Sequence, residues 1–257
     1  MIANLHTHTP RCNHAEGAEQ EYVECALEAG LEILGFSDHA PYLFPGSYYS
    51  HFRMRPEQLE DYVRTILALR EAYRGKIEIP LGLELEYYPA LLPQLLPILK
   101  DQPIDYLILG QHCLGNEVND HYSGRASGDK RHLERYCSQV IEAMHTGLFT
   151  YLAHPDLLYY AGSDEAFYRS QMRRICREAT QCAIPLEINL LGMLENRHYP
   201  NDRFWEVAAE ENCFVVLGRD AHAPWQLLEH SYEARALELV RRYGLDLLQT
   251  VNLKKPW

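Results

Sequence analysis

Two histidines separated by one residue, His6 and His8, open the chain, and the same spacing recurs in Glu84 with Glu86 and in Asp220 with His222. Residues two apart in an extended strand project to one face, so each pair can offer two donors to a single point. His14, His39, His112 and His154 add imidazoles, and several of them sit beside acids or amides: Asp38-His39, Gln111-His112 and His154-Pro155-Asp156. Neutral imidazole together with carboxylate suits zinc, iron or manganese. The candidate metal ligands are His6, His8, His14, His39, Glu84, His112, His154, Asp220 and His222. A catalytic zinc usually takes about three protein ligands. Nine donors with one bridging carboxylate therefore suffice for three divalent ions and leave positions for water and substrate.

The elements that must position these residues read as an alternation. Short apolar runs of strand length occur at Met1–Leu5, Ile33–Phe36, Ile79–Leu85, Tyr106–Leu109, Phe149–Ala153, Pro185–Ile188 and Phe214–Leu217. Nearly continuous apolar character marks strands covered on both faces. Amphipathic stretches predict helices at Glu19–Glu28, Pro56–Tyr73, Pro89–Leu99, Asp129–Thr146, Glu165–Gln181 and Asn201–Glu211, with a last helix over Trp225–Tyr243 and a terminal strand over Leu247–Leu253. Such alternation implies parallel pairing through right-handed crossovers, and the number of units favours one closed barrel over an open doubly wound sheet. In a barrel the residues ending each strand share one C-terminal mouth, where such folds build their active sites.

The chain has 257 residues, 13 histidines and a formal charge of −12, from 24 basic and 36 acidic side chains. That balance argues against gripping a nucleic-acid backbone. Bound divalent ions would still make the cavity locally positive and receptive to an anion. The expectation is one domain over 1–257, in the cytoplasm. No apolar run approaches a membrane span, no signal-peptide pattern opens the chain, and the seven scattered cysteines lack a CxxC pair.

The motifs LHTHT with His14 eight residues beyond His6, SDHA (37–40), GLE (82–84), GQH (110–112), AHPD (153–156) and GRDAH (218–222) resemble those of the polymerase and histidinol phosphatase (PHP) superfamily, in its order. CNHAEG, GLELEYYP and LEIN further resemble its stand-alone histidinol-phosphate phosphatases. The resemblance implies an α/β fold, a distorted seven-stranded β/α barrel of the PHP type. It also implies a trinuclear site of zinc, iron or manganese. His6, His8, Glu84 and Asp220 would hold one ion, Glu84 would bridge to a second on His112 and His154, and His14, His39 and His222 would hold the third.

The chemistry expected is hydrolysis of a small phosphorylated metabolite, foremost L-histidinol phosphate, by direct attack of a metal-bridging hydroxide, with inorganic phosphate as product. A PHP phosphoesterase acting on phosphotyrosine, a nucleotide or another phosphometabolite is the alternative. A nuclease, a carbon–nitrogen hydrolase and a non-enzymatic metal protein fit less well. Around the ligands, Arg197 is the candidate phosphate clamp and His198 the candidate donor to the leaving oxygen. Asp38 and Asp156 either orient imidazoles or cap helices. Glu16 and Glu86 could meet a cationic substrate, and Arg53 and Arg55 could add a phosphate contact. Gln111 and residues 113–130 depart from the better-known phosphatases, which points to the substrate rim.

Overall fold

The computed structural model describes residues 1–118 and 121–257. Its strands are β1 (Ala3–Asn4), β2 (Ile33–Leu34), β3 (Gly82–Leu85), β4 (Tyr106–Leu109), β5 (Tyr151–Leu152), β6 (Leu186–Asn189), β7 (Phe214–Gly218) and β8 (Asp246–Leu247). Every strand pairing is parallel. A ladder joins β1 to β2, and another runs β3-β4-β5-β6-β7-β8. Isolated bridges Ile33–Glu78, Phe36–Leu81 and His39–Glu84 carry the pairing from β2 to β3, and Thr7–Ala221 joins the end of β1 to the end of β7. Hydrogen bonds from His8 N to Ala221 O (2.9 Å) and from Ala221 N to His6 O (3.1 Å) fix that seam. The parallel pairing thus passes from β1 through β7 and back to β1. Isolated bridges hold two of its seams, three between β2 and β3 and one between β1 and β7.

Between the strands lie α1 (Glu19–Glu28), α2 (Leu59–Ala72), α3 (Leu92–Lys100), α4 (Lys130–His145), α5 (Glu165–Gln181), α6 (Leu190–Leu194), α7 (Asp202–Glu210) and α8 (His230–Tyr243). Their starts follow side-chain chemistry. Asp129, Asp164 and Asn201 each accept a backbone N–H of the first turn, at 2.9, 3.0 and 3.1 Å, and so cap α4, α5 and α7. α8 stops at Gly244, which takes the left-handed conformation at φ 65°. On α4, Leu133, Tyr136, Cys137, Val140, Ala143 and Met144 form one buried stripe. Burying each large apolar side chain of this kind contributes about 1.5–3 kcal/mol.

Helices α1 and α5 have the bounds the sequence predicts. The stretch from Pro56 opens with a 3-10 turn, Pro56–Gln58, before α2, and the last helix likewise follows a 3-10 turn, Pro224–Leu228. The expected terminal strand contracts to Asp246–Leu247, paired to Phe214 and Val215. Beyond it Leu248, Val251 and Leu253 pack on Leu5, Tyr106, Ile108, Tyr151 and Val216. Tyr106 is buried among them, and its hydroxyl donates to the carbonyls of Leu5 (2.8 Å) and Phe36 (3.2 Å). Among the described residues no helix is long and apolar enough to cross a membrane.

Candidate active site

The strand ends deliver the polar residues to one place. β1 runs into His6 and His8, β2 into Asp38-His39, and β3 carries Glu84. β4 leads to His112, β5 to His154, and β7 to Asp220 and His222. A 3-10 turn, Pro10–Cys12, capped by Thr9 and followed by Asn13 at φ 69°, turns the chain so that His14 returns to the same cluster. His154 (φ 31°) and Asp220 (φ 51°) also adopt left-handed backbone. For residues other than glycine this conformation carries a cost that functional sites commonly retain.

Glu84 is the hub. Its Oε2 lies 3.1 Å from His39 Nδ1, 3.4 Å from His6 Nε2 and 3.6 Å from His8 Nε2. Its Oε1 lies 2.9 Å from His154 Nε2 and 3.5 Å from His112 Nε2. Asp220 Oδ1 stands 3.0 Å from His8 Nε2 and 3.3 Å from His6 Nε2. His14 Nε2 and His222 Nε2 face each other at 2.9 Å. Donor groups spaced to share an ion include His6/His8/Asp220, His6/Glu84/His154, His8/His39/Glu84 and His14/His39/His222. All nine sequence-predicted ligands therefore meet in one cluster.

The fit to cations rests on what these atoms lack. His6 Nε2, His8 Nε2, His39 Nδ1, Glu84 Oε2 and Asp220 Oδ1 are buried without a hydrogen-bond partner. Each such orphan costs about 1–3 kcal/mol. Asp38, Glu84, Glu86, Glu187 and Asp220 are buried carboxylates in the same region, and buried charge persists only when paired. The tautomers point the same way. His6 Nδ1 lies 2.8 Å from Glu187 and His112 Nδ1 lies 2.8 Å from Glu86. His14 and His222 direct Nδ1 at the carbonyls of Cys12 and Asp220, both at 2.8 Å. Those oxygens only accept, so each Nδ1 carries a proton, which leaves Nε2 as the atom whose lone pair a cation can take once that nitrogen is deprotonated. At the His14–His222 distance the two Nε2 atoms share either a proton carried by one ring or a cation that both lone pairs hold.

Glu187, which the sequence reading passed over, does more than hold His6. Its Oε2 accepts from His154 N at 3.1 Å and from Asn189 Nδ2 at 2.9 Å, and Asn189 Nδ2 also reaches Asp220 Oδ2 at 3.1 Å. Gly218 makes room for it, since a Cβ there would sit 1.7 Å from Glu187 Oε1; at Gly110 a Cβ would sit 1.8 Å from Glu84 Oε1. Glu187→Ala is expected to weaken metal binding about 10- to 100-fold, measured by competition with a chromophoric chelator. An unchanged affinity would mean that His6 holds its orientation without it.

The electrostatics follow from this crowding. Burial alone would raise the carboxyl pKa of Glu84, but His112, His6 and His39 outweigh it and hold the group well below the usual range. Asp220 is likewise held low, against burial, by His6, His8 and His222. Burial, reinforced by neighbouring positive charge, pushes His39 and His222 well below the ordinary imidazole value. They are therefore neutral donors.

His14, His39, Glu84, His112, His154, Asp220 and His222 line a cavity of about 340 Å³ with Phe52, Tyr122, Leu191, Glu195, Arg197 and Tyr199, and His6 and His8 lie beneath them, against Glu84 and Asp220. That volume suits a small molecule. Arg197 enters it as expected, while His198 does not. The ring of His198 stacks on Tyr159 at 4.2 Å and its Nε2 lies 2.8 Å from the Leu157 carbonyl. Burial also lowers its pKa. Asp38 is fully buried beside His8, accepting from Thr9 Oγ1 and from His39 N (2.8 Å), with Oδ1 3.6 Å from His8 Nδ1. It braces ligands and does not line the cavity.

Other expectations are corrected by contacts. Asp156 accepts from Asn201 N at 2.7 Å, tying β5 to α7, and burial pushes its pKa up to about 7. Glu86 binds His112 and Arg53, so it is not open to a substrate, and Arg53 is buried against Glu86, Glu117 and the Ala40 carbonyl. Arg55 lies over the Tyr49 ring at 4.0 Å. Glu16 is exposed and donates its backbone N–H to the His222 carbonyl at 2.8 Å. The Gln111 amide braces backbone, accepting from Tyr87 N at 2.9 Å and donating to Cys113 O at 2.8 Å. Within 113–130, Tyr122 does reach the cavity, and residues 119–120 lie outside the described residues.

Comparison with known proteins shows what the chain is similar to. A protein of Deinococcus radiodurans described as a probable histidinol-phosphatase is 32% identical over 232 residues, covering 88% of each chain. The crystal structure of a Lactococcus lactis histidinol phosphate phosphatase, complexed with zinc, L-histidinol and phosphate, superposes with a TM-score of 0.74. It covers 99% of this chain and 98% of that one at 20% identity. The PHP domain model matches residues 4–190. The remaining segment supplies Asp220 and His222 to the same cluster. The chain belongs to the PHP domain family.

Proposed function

We propose that this protein is a metal-dependent phosphomonoesterase that hydrolyses L-histidinol phosphate to L-histidinol and phosphate. The single observation that carries the reading is the joining of two features in one cavity: a cage of unpartnered imidazole and carboxylate atoms, and the Arg197 guanidinium. The similarity to the Deinococcus protein over most of both chains supports the substrate. His6, His8, Glu84 and Asp220 would hold one ion, Glu84 with His112 and His154 a second, and His14, His39 and His222 a third, each zinc, iron or manganese. When bound, such ions acidify water and neutralise phosphoryl charge, so that water can attack phosphorus directly.

The chain's own residues do the positioning. Glu187, Glu86 and the carbonyls of Cys12 and Asp220 fix the four imidazoles whose Nδ1 atoms they receive. Arg197 offers a planar fork to the phosphoryl oxygens. Among the described cysteines none is in a disulfide, which suits a reducing cytoplasm.

Phosphate release from L-histidinol phosphate, a phosphotyrosine peptide, p-nitrophenyl phosphate and a short oligonucleotide tests the reading. Histidinol phosphate should show the highest kcat/KM, and preference for another member of the panel would overturn the substrate. Arg197→Ala should lower kcat/KM about a hundredfold, the loss of a charged bidentate contact, with Arg197→Lys intermediate. Equal turnover by wild type and Arg197→Ala would remove the clamp from the account.

A further inference from the structure

The carboxylates around the cavity divide into two kinds. Glu84 and Asp220 face the cage, and Glu86, Glu187 and Asp38 stand against ligand histidines. Glu195 is different. It lines the cavity yet touches no histidine of the cage in any described contact; its partner is Arg197, whose Nε donates to Glu195 Oε2 at 2.7 Å. The side chains are 48% and 34% exposed, and an ion pair so wetted is worth little and opens readily.

Its position is nevertheless built. Asn189 Oδ1 caps α6 by accepting from Gly192 N at 2.9 Å, while Asn189 Nδ2 contacts Glu187 and Asp220. At the far end of α6, Glu195 N donates to Leu191 O and Arg197 N to Gly192 O, both at 2.9 Å. One short turn thus fastens the pair to the cage residues.

A carboxylate beside a phosphate clamp opposes any simple phosphate dianion. It becomes an advantage only when the substrate carries its own cation next to the phosphate ester. We infer that the Glu195–Arg197 pair selects 2-aminoalkyl phosphates: the substrate exchanges the pair, placing its phosphate on Arg197 and its ammonium on Glu195. Selection of this form combines attraction of the right ligand with repulsion of the wrong one. The inference rests on the phosphomonoesterase reading above and deepens it by assigning the amine subsite to a residue that sequence reading had not singled out.

The test compares L-histidinol phosphate with imidazolylpropyl phosphate, which keeps the ring and the ester and lacks the amine. Wild type should prefer the amine by about 10- to 100-fold in kcat/KM, the range of a charged hydrogen bond. Glu195→Gln should move the two substrates in opposite directions, slowing the aminated one and speeding the other, so that the ratio collapses to within about threefold. Glu195→Asp should keep most of the preference. Equal changes on both substrates in Glu195→Gln, or an unchanged ratio, would overturn the assignment of Glu195. Wild type that hydrolyses neither substrate but cleaves another phosphomonoester would overturn the substrate reading and this inference together.

Discussion

Glu84→Gln is expected to lower phosphatase activity by at least about a thousandfold, the equivalent of roughly 4 kcal/mol of transition-state stabilisation. The substitution conserves volume and keeps one carbonyl oxygen, so packing alone predicts little change. What it removes is the negative charge within 3.6 Å of five imidazoles: His6, His8, His39, His112 and His154. A neutral amide cannot bridge two cations, and its NH2 would face ring nitrogens that present lone pairs. Bound metal should therefore fall together with activity, while circular dichroism reports a retained fold. A variant with full metal content and lost activity would relocate the role of Glu84 from ligand to chemistry. Near-normal activity would remove it from the site.

Stripping the metal is expected to produce the second large effect, on stability as well as turnover. Ions that bind only the folded chain stabilise it by about 4 kcal/mol at a thousandfold excess over Kd, which for a chain of this size corresponds to a fall of roughly 10 °C in Tm on chelation. The loss should depend on pH. In the metal-free protein burial lowers the pKa of His6 and His8, but Asp220, Glu187 and Glu84 around His6, and Asp220 and Asp38 around His8, raise both well above the ordinary value. A group whose folded pKa is raised stabilises fully below its unfolded value, about 6.5 for histidine, and loses that contribution as pH rises through the folded value. Glu84 and Asp220, with lowered folded values, contribute above the ordinary carboxylate range and lose their contribution in acid.

The stripped protein should consequently weaken on the alkaline side, where neutral imidazoles no longer balance the buried carboxylates. The loaded protein should hold its stability there, because deprotonated imidazoles bind metal best. Differential scanning fluorimetry at about pH 6 and about pH 9, with and without chelator, reads the difference. A gap in Tm that widens toward alkaline pH is the expected result, and a gap that narrows would contradict the account.

Much of this site was legible in the residues because chelation imposes local spacing. His6 with His8 and Asp220 with His222 each fall within three residues, and both pairs reach the cluster, His8 lying 3.0 Å and His222 3.5 Å from Asp220, although both stand past the ends of their strands and Asp220 takes left-handed backbone. The alternation of apolar runs likewise located β3, β4 and β6 within a few residues of their ends. What escaped depends on distant contacts. Glu187 belongs to LEIN, a motif noted for resemblance, yet its role comes from His6, which lies 181 positions away in sequence. Glu86 shares a face with Glu84, but a buried guanidinium, Arg53, claims it.

Neighbours on an irregular turn were the hardest to separate. Arg197 and His198 are adjacent in sequence, and past α6 the chain sends one side chain into the cavity and the other toward the Leu157 carbonyl. No period of two or of 3.6 carries that information. α6 itself spans five residues, too few for an amphipathic pattern to register.

The central claim is that the chain assembles a cage for several divalent cations about Glu84. Anomalous scattering from crystals of the purified protein, collected at the zinc, iron and manganese edges, addresses it most directly. The account predicts three peaks inside the ring of His6, His8, His14, His39, His112, His154, Asp220 and His222, with the Glu84 carboxylate between two of them. A cavity with no anomalous density from protein supplied with these metals would contradict it.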